Sequence, residues 1–230
     1  MALDTLAILT ARNEAARIGA TIAALTSALP GARVLLADDG SSDATAELAA
    51  AAGARVIRSP RAIGKGGAAT LAAREALRAA EAGASAAHTV VLLCDGDLGE
   101  SASQLAALIG AVRRDEADIA VAAFRTRAGG GLGIALGFAR WAIGRRCGFE
   151  ARAPISGQRA MRVRVLRDVL PFADGFGMEL AMTIDAVRAG HRVVEIELDL
   201  SHRATGRTPG GFAHRARQLR DFVRAYEARG

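Results

Sequence analysis

Thr89-Val90-Val91-Leu92-Leu93-Cys94-Asp95-Gly96-Asp97-Leu98 is the stretch that decides the fold. Val90 to Cys94 are apolar without alternation, as in a strand covered on both faces in the middle of a parallel sheet. The run stops on two carboxylates one residue apart. Asp95 and Asp97 converge on one small volume, where they repel and one takes up a proton unless a cation lies between them. Hard oxygen donors select Mg²⁺ or Mn²⁺, shared with the phosphates of a nucleotide. The competing reading of the same residues is a solvated turn with a helix cap.

Outward from this strand the same grammar repeats. Leu6-Ala7-Ile8-Leu9 is apolar and runs into Thr10-Ala11-Arg12-Asn13-Glu14, after which a helix pattern continues to about Leu29 and stops at Pro30-Gly31. Arg33 to Ala37 is a second strand and ends on Asp38-Asp39-Gly40-Ser41-Ser42-Asp43, where Ser42 or Asp43 can cap an Ala-rich helix to Ala52. Arg55-Val56-Ile57 is a third strand. A helix from about Gly67 to Ala82 precedes the 89–94 strand, another runs to about Arg114, and Asp118 to Ala122 is a fifth strand. Strand–helix alternation of this kind predicts an α/β fold with a mostly parallel sheet and helices on both faces. Ligands of such sheets bind beyond the carboxyl ends of the strands, where Asn13, Asp38 and Asp95 fall. The second half is less regular. It has a glycine-rich basic stretch from Arg127 to Gly148 with a helix-like part around Ile134 to Ile143, and a loop at 154–159. A helix opens at Phe176-Gly177-Met178-Glu179, Arg192 to Leu200 alternates as a strand, and a basic tail helix follows Pro209. No seam divides the 230 residues, so one domain is expected, 1–125 forming its nucleotide-binding half and 126–230 its acceptor-binding half.

Arg61-Ala62-Ile63-Gly64-Lys65-Gly66-Gly67 holds the only lysine among 30 lysine and arginine residues. Flanking glycines let backbone approach a ligand, and a compact ammonium suits phosphate. A flexible surface loop is the alternative, but arginine would serve there equally well. A Walker A loop is excluded by its glycine spacing and missing Ser/Thr. Asp38 or Asp39 can accept from a nucleobase N–H or from ribose hydroxyls. Asn13, the only asparagine, reads as a ligand contact or as a helix cap.

The formal net charge is +6 and only 4% of residues are aromatic. Basic residues scattered over many helices, with few stacking rings, argue against nucleic acid and for an anionic small substrate or membrane surface. Cys94 and Cys147 form neither metal spacing nor a disulfide framework. With no signal-like start and no apolar run of about 20 residues, this points to a cytoplasmic protein, if need be at the inner membrane face.

Together and in this order, ARNEA, LLADDGSSDAT, GKGGA, LLCDGDL, SGQRA and FGMEL resemble the nucleotide-sugar-dependent family 2 glycosyltransferases of the GT-A fold. The second half is similar to dolichyl-phosphate mannose synthases and glucosyl-3-phosphoglycerate synthases. The resemblance implies sugar transfer from a nucleoside diphosphate, with Mg²⁺ or Mn²⁺ as cofactor. It assigns the nucleotide sugar to Thr10, Ala11, Arg12, Glu14, Asp38, Asp39, Lys65, Asp95 and Gly96. Asp97 and His202 would hold the metal, Glu179 would bind hydroxyls or act as base, and Asp97 and Glu179 would be the catalytic residues. Ser156, Gly157, Gln158, Arg159 and Arg203 would meet the acceptor, a small molecule or lipid phosphate. Arg207 is a further anion contact, and the helix with Arg140, Arg145 and Arg146 either lies on a membrane or packs on the core. A homodimer is compatible with the pattern. Thr10 stands where many relatives carry proline, and no Glu-Asp pair marks an inverting base. A sugar-phosphate nucleotidyltransferase would need a glycine-rich basic loop where ARNEA stands; a non-catalytic nucleotide-binding module would not need the paired carboxylates. A dehydrogenase would need Gly-x-Gly-x-x-Gly after the first strand.

Overall fold

The computed structural model describes residues 5–82, 89–124, 133–200 and 209–230, the side chains of 209–216 excepted. Apolar runs became strands where the sequence placed them: β1 (Thr5–Ala11), β2 (Arg33–Asp38), β3 (Arg55–Arg58), β4 (Val90–Asp95) and β5 (Ile119–Phe124). Between them lie α1 (Ile18–Ala28), α2 (Thr45–Ala51), α3 (Lys65–Glu81) and α4 (Ala106–Arg113). The second half adds α5 (Ile134–Cys147), β6 (Arg159–Arg162), α6 (Val163–Val169), α7 (Met178–Arg188), β7 (Val193–Leu198) and α8 (Pro209–Glu227). One sheet joins the strands in the order β3-β2-β1-β4-β6-β5-β7.

Period-two alternation builds a core on each face. Ala7, Leu9, Leu36 and Leu92 turn toward α1 and α4, joining Ile18, Ile22, Leu25, Leu108 and Ile109. Leu6, Ile8, Leu35, Val91 and Leu93 turn the other way, onto Ala68, Ala72, Ala76 and Ala80 of α3. That four-residue spacing gives α3 a smooth alanine face, so its backbone lies close against the sheet. A third cluster stands apart from the sheet, where Ala142 and Ile143 of α5 meet Leu180 and Ile184 of α7 and Phe222 of α8.

Two departures from expectation have local causes. The helix expected to run to about Arg114 begins as a 3₁₀ stretch, Gly99–Leu105. There the Ser101 and Ser103 hydroxyls bond back to the carbonyls of Leu98 and Glu100, 2.7 and 2.9 Å away. Such side-chain bonds compete with regular helix. The second departure is β6, a strand that starts on the last residue of the expected 154–159 loop, where no strand was expected. It pairs antiparallel with both β4 and β5, Leu93 lying opposite Arg159. An antiparallel strand starts where its parallel neighbours finish. The loop before it is thereby delivered to the carboxyl end of β4.

Candidate active site

The strand ends are in register: Thr10 is paired with Asp95 and Ala11 with Asp38. Gly96 sits beneath them, its N–H donating to the Thr10 carbonyl at 2.9 Å. A side chain there would strike Ala11 Cβ at 2.9 Å, so only glycine turns the chain this closely.

Lys65 opens α3, and two constraints aim it. Gly64 before it has φ +87°, a backbone angle natural to glycine. The Asp39 carboxylate then accepts the N–H of Ile63 at 2.6 Å and that of Gly64 at 3.1 Å. Lys65 Nζ lies 2.7 Å from Asp95 Oδ1 and 2.7 Å from Glu179 Oε1. Burial works against the ammonium, but Asp95 and Glu179 outweigh it and hold its pKa above the ordinary lysine value. Gly157 forms the roof, since a Cβ on it would stand 2.6 Å from Lys65 Nζ.

Asp95 is gripped from three sides. Thr10 Oγ1 donates to Oδ1 at 3.1 Å and Gln158 Nε2 donates to Oδ2 at 3.0 Å. Gln158 Oε1 also accepts the Asp95 backbone N–H at 3.2 Å. Burial pushes the Asp95 carboxyl up, but Lys65, Gln158 and Thr10 prevail and keep it below the usual carboxylate range. Asp97, half-buried two residues on, has its carbonyl held by Arg17 Nη1 at 3.1 Å. Burial, with Asp95 adding, pushes the Cys94 thiol up, which makes it a core residue rather than a nucleophile.

Several other expected contacts are taken up within the protein. Asp38 is fully buried; its Oδ1 accepts the Ser41 N–H at 3.0 Å, and its Oδ2 pairs with Arg58 Nε at 3.1 Å. Asn13, at φ +58°, caps no helix: its N–H donates to Ser41 Oγ and its Oδ1 accepts the Ser42 N–H. Glu14 uses its backbone N–H on Thr45 Oγ1 at 2.8 Å, and Arg12 is exposed. Asp43, expected as a cap, lies one residue before the N-cap Ala44 and accepts the Thr45 N–H at 3.0 Å in an Asx-type turn. Arg159, expected to grip an acceptor anion, is instead 1% exposed and ties the 156–159 turn to α7. Its Nε donates to the Ser156 carbonyl and its Nη1 to Thr183 Oγ1, each at 2.9 Å. Burial, opposed by Glu179 and Glu195, pulls its pKa down to about 10. Ser156 is buried beside it. Gln158, expected at the acceptor, grips Asp95 instead. His202, Arg203 and Arg207 lie outside the described residues. In α5, Ala139, Ala142 and Ile143 pack on the third core, while Ile134 and Trp141 stay exposed.

The sequence did not mark Arg58 as the partner of Asp38, nor Gln158 as the partner of Asp95. Only the shared sheet edge offered a clue. Among the described residues, no group of three or more His, Cys, Asp or Glu side chains converges on a metal-sized space. Asp95 already holds Lys65, Thr10 and Gln158, so the carboxylate that would be offered to a metal is that of Asp97. This fits Mg²⁺ or Mn²⁺, which take one or two protein carboxylates and complete their shell with phosphate and water.

An ammonium and strand-end carboxylates, set across the carboxyl edge of a mostly parallel sheet, define an α/β protein with a ligand site beyond its strand ends. Residues 7–170 match Glycosyl transferase family 2, and the chain belongs to that family. It is a glycosyltransferase of the GT-A fold. Glucosyl-3-phosphoglycerate synthase from Mycobacterium tuberculosis in complex with phosphoglyceric acid superposes with a TM-score of 0.76 at 24% identity, over 98% of this chain and 79% of that one. The complex of that synthase with Mn²⁺, uridine-diphosphate-glucose and phosphoglyceric acid gives 0.74 at 23% identity, with the same coverage. Its complex with Mg²⁺ and uridine-diphosphate gives 0.73 at 25% identity, again over 98% and 79%. No curated protein matches the chain significantly.

Proposed function

We propose that this glycosyltransferase moves a sugar from a nucleoside diphosphate to a phosphate-bearing acceptor, with Mg²⁺ or Mn²⁺ bound through Asp97. The observation that carries the reading is the lone lysine, held as an ammonium between Asp95 and Glu179 at the strand ends. That fixed positive charge, at the N-terminus of a 17-residue helix, suits a pyrophosphate. Negative charge grows on the departing diphosphate, so a pre-oriented ammonium favours the transition state over the bound donor. The divalent ion would supply Lewis-acid neutralisation of the same oxygens. Asp95, Gln158 and Thr10 keep Lys65 aimed, and Glu179 is its second anchor; a base role for Glu179 has to compete with that ammonium. A neighbour binding uridine-diphosphate-glucose and phosphoglyceric acid makes these the first donor and acceptor to try. The half-and-half division of labour about residue 125 is part of the same proposal.

Thermal shift with uridine diphosphate, with and without Mn²⁺, tests the reading. The wild type should gain stability only with both present, and Asp97→Ala should lose that gain while melting as the apo wild type does. Equal gains in the Ala variant would remove Asp97 from the metal. A lipid-phosphate acceptor is favoured by one feature, the exposed Ile134 and Trp141 of α5. Co-sedimentation of the wild type, but not of Trp141→Ala, with vesicles containing anionic lipid would support it.

A further inference from the structure

Glu179 and Lys65 come from different helices, and one short segment touches both. Residues 172–177 run between the start of α3 and the outer face of α8. On the α3 side, the Phe172 N–H donates to Thr70 Oγ1 at 3.1 Å. The Ala173 carbonyl lies so close to Gly66 that a Cβ there would stand 1.9 Å from it. Gly66 follows Lys65 directly. On the α8 side, the nearly buried Asp221 carboxylate accepts the Phe176 N–H through Oδ2 at 3.3 Å. The same oxygen would be 2.3 Å from a Cβ on Gly175. The Asp221 carbonyl and Ala225 Cβ each close on Gly177 in the same way, at 2.9 Å. Met178 then starts α7, and Glu179 stands in its first turn.

We propose that Asp221 is a positioning residue: from the C-terminal helix it fixes the Gly175–Gly177 turn, and through that turn the Lys65–Glu179 ion pair. The carboxylate touches neither member of the pair. It acts on both because the segment it holds is wedged against Gly66 on one side and leads directly into Glu179 on the other. Within the turn there are the Gly177 N–H bond to the Asp174 carbonyl at 3.2 Å and the Phe176 ring on the third cluster, and the glycines at 175 and 177 let α8 close on the backbone and supply the further restraint. The catalytic consequence rests on the proposed role of Lys65; the positioning itself does not.

The single lysine makes the test direct. Protein labelled with ¹³Cε,¹⁵Nζ-lysine reports one site, Lys65. Asp221→Ala should displace that signal by several linewidths, while Asp221→Asn, whose amide oxygen still accepts the Phe176 N–H, should restore it. Leu108→Ala of α4 is the control, because that buried side chain lies in the core on the other face of the sheet, which holds no residue of the turn. It should lower the melting temperature and leave the lysine signal in place. An unmoved signal in Asp221→Ala, or an equal displacement in Leu108→Ala, would overturn the proposal. If uridine-diphosphate-glucose proves to be a donor, Asp221→Ala should lower kcat about tenfold with donor KM little changed, as misplacement of a pre-aimed group predicts. Failure of that arm alone, with the lysine signal displaced, would count against the role of Lys65 and not against the positioning.

Discussion

Lys65 shows why arginine cannot replace lysine even in a chain that otherwise uses arginine throughout. Its Nζ meets Asp95 and Glu179 at 2.7 Å each, and the Gly157 backbone closes the space above it. A guanidinium is longer and planar, with donors in a fixed fork, whereas an ammonium is a point. Lys65→Arg keeps the charge and so should keep the fold, with a melting temperature within a few degrees. Sugar transfer should nevertheless fall about 100-fold or more, the scale of losing a pre-oriented electrostatic contact. Turnover within a few-fold of wild type would show that the site needs only a positive charge. Asp38 and Asp39 teach the complementary lesson. Their side chains were legible as strand-end carboxylates, but not their partners. Arg58 lies at the end of β3, 20 residues away in the chain. The amides that occupy Asp39 belong to the lysine loop itself. A sequence displays acceptors; which donor reaches them first is settled by register.

Among the elements, β1, β2, β4 and β5 were legible because a buried strand must be apolar. In contrast β6, Arg159-Ala160-Met161-Arg162, is short and charged at both ends and looks like loop. Its arginines are tolerated for different reasons. Arg159 is enclosed with its Nε and Nη1 on protein acceptors, whereas Arg162 reaches the opposite sheet edge and a network around Asp118. There Asp118 Oδ2 accepts the Arg192 N–H at 2.9 Å and pairs with Arg192 Nε at 3.2 Å, tying β5 to β7. Burial raises the Asp118 carboxyl, but bonds from Arg192 and Arg164 overcome it and bring its pKa to about 2. A carboxyl depressed on folding stabilises above its unfolded pKa and loses that contribution as pH falls through its folded one. The window is therefore from about pH 4 down to about pH 2, and the contribution at neutral pH is about 2 kcal/mol. Asp118→Asn should be less stable than wild type by about that amount at pH 7, and the gap should close as pH approaches 2. Denaturant melts at several pH values would check it; a gap independent of pH would mean that the network's charge contributes nothing.

At the scale of the whole molecule, the three cores are unequal. Two are sheet faces roofed by helices, built from long-range pairs that form together. The third holds α5, α7 and α8 mostly against one another, and Phe222 is its fully enclosed ring. Glu179 of the site starts α7, so the catalytic edge draws on both kinds of core. Among the described residues, no helix is long and apolar enough to cross a membrane. The third cluster is a packed helix layer, and such units open below the global unfolding free energy. Phe222→Ala leaves a large void there and should cost about 3–5 kcal/mol locally. Native-state hydrogen exchange should then speed up across α5 and α8. The amides of β1 and β4, buried under both sheet cores, should keep their protection until global unfolding. If instead every element lost protection by the same factor, the layer and the sheet would be one cooperative unit. The position of Glu179 would then be set by the stability of the entire chain rather than by the helix layer that carries it.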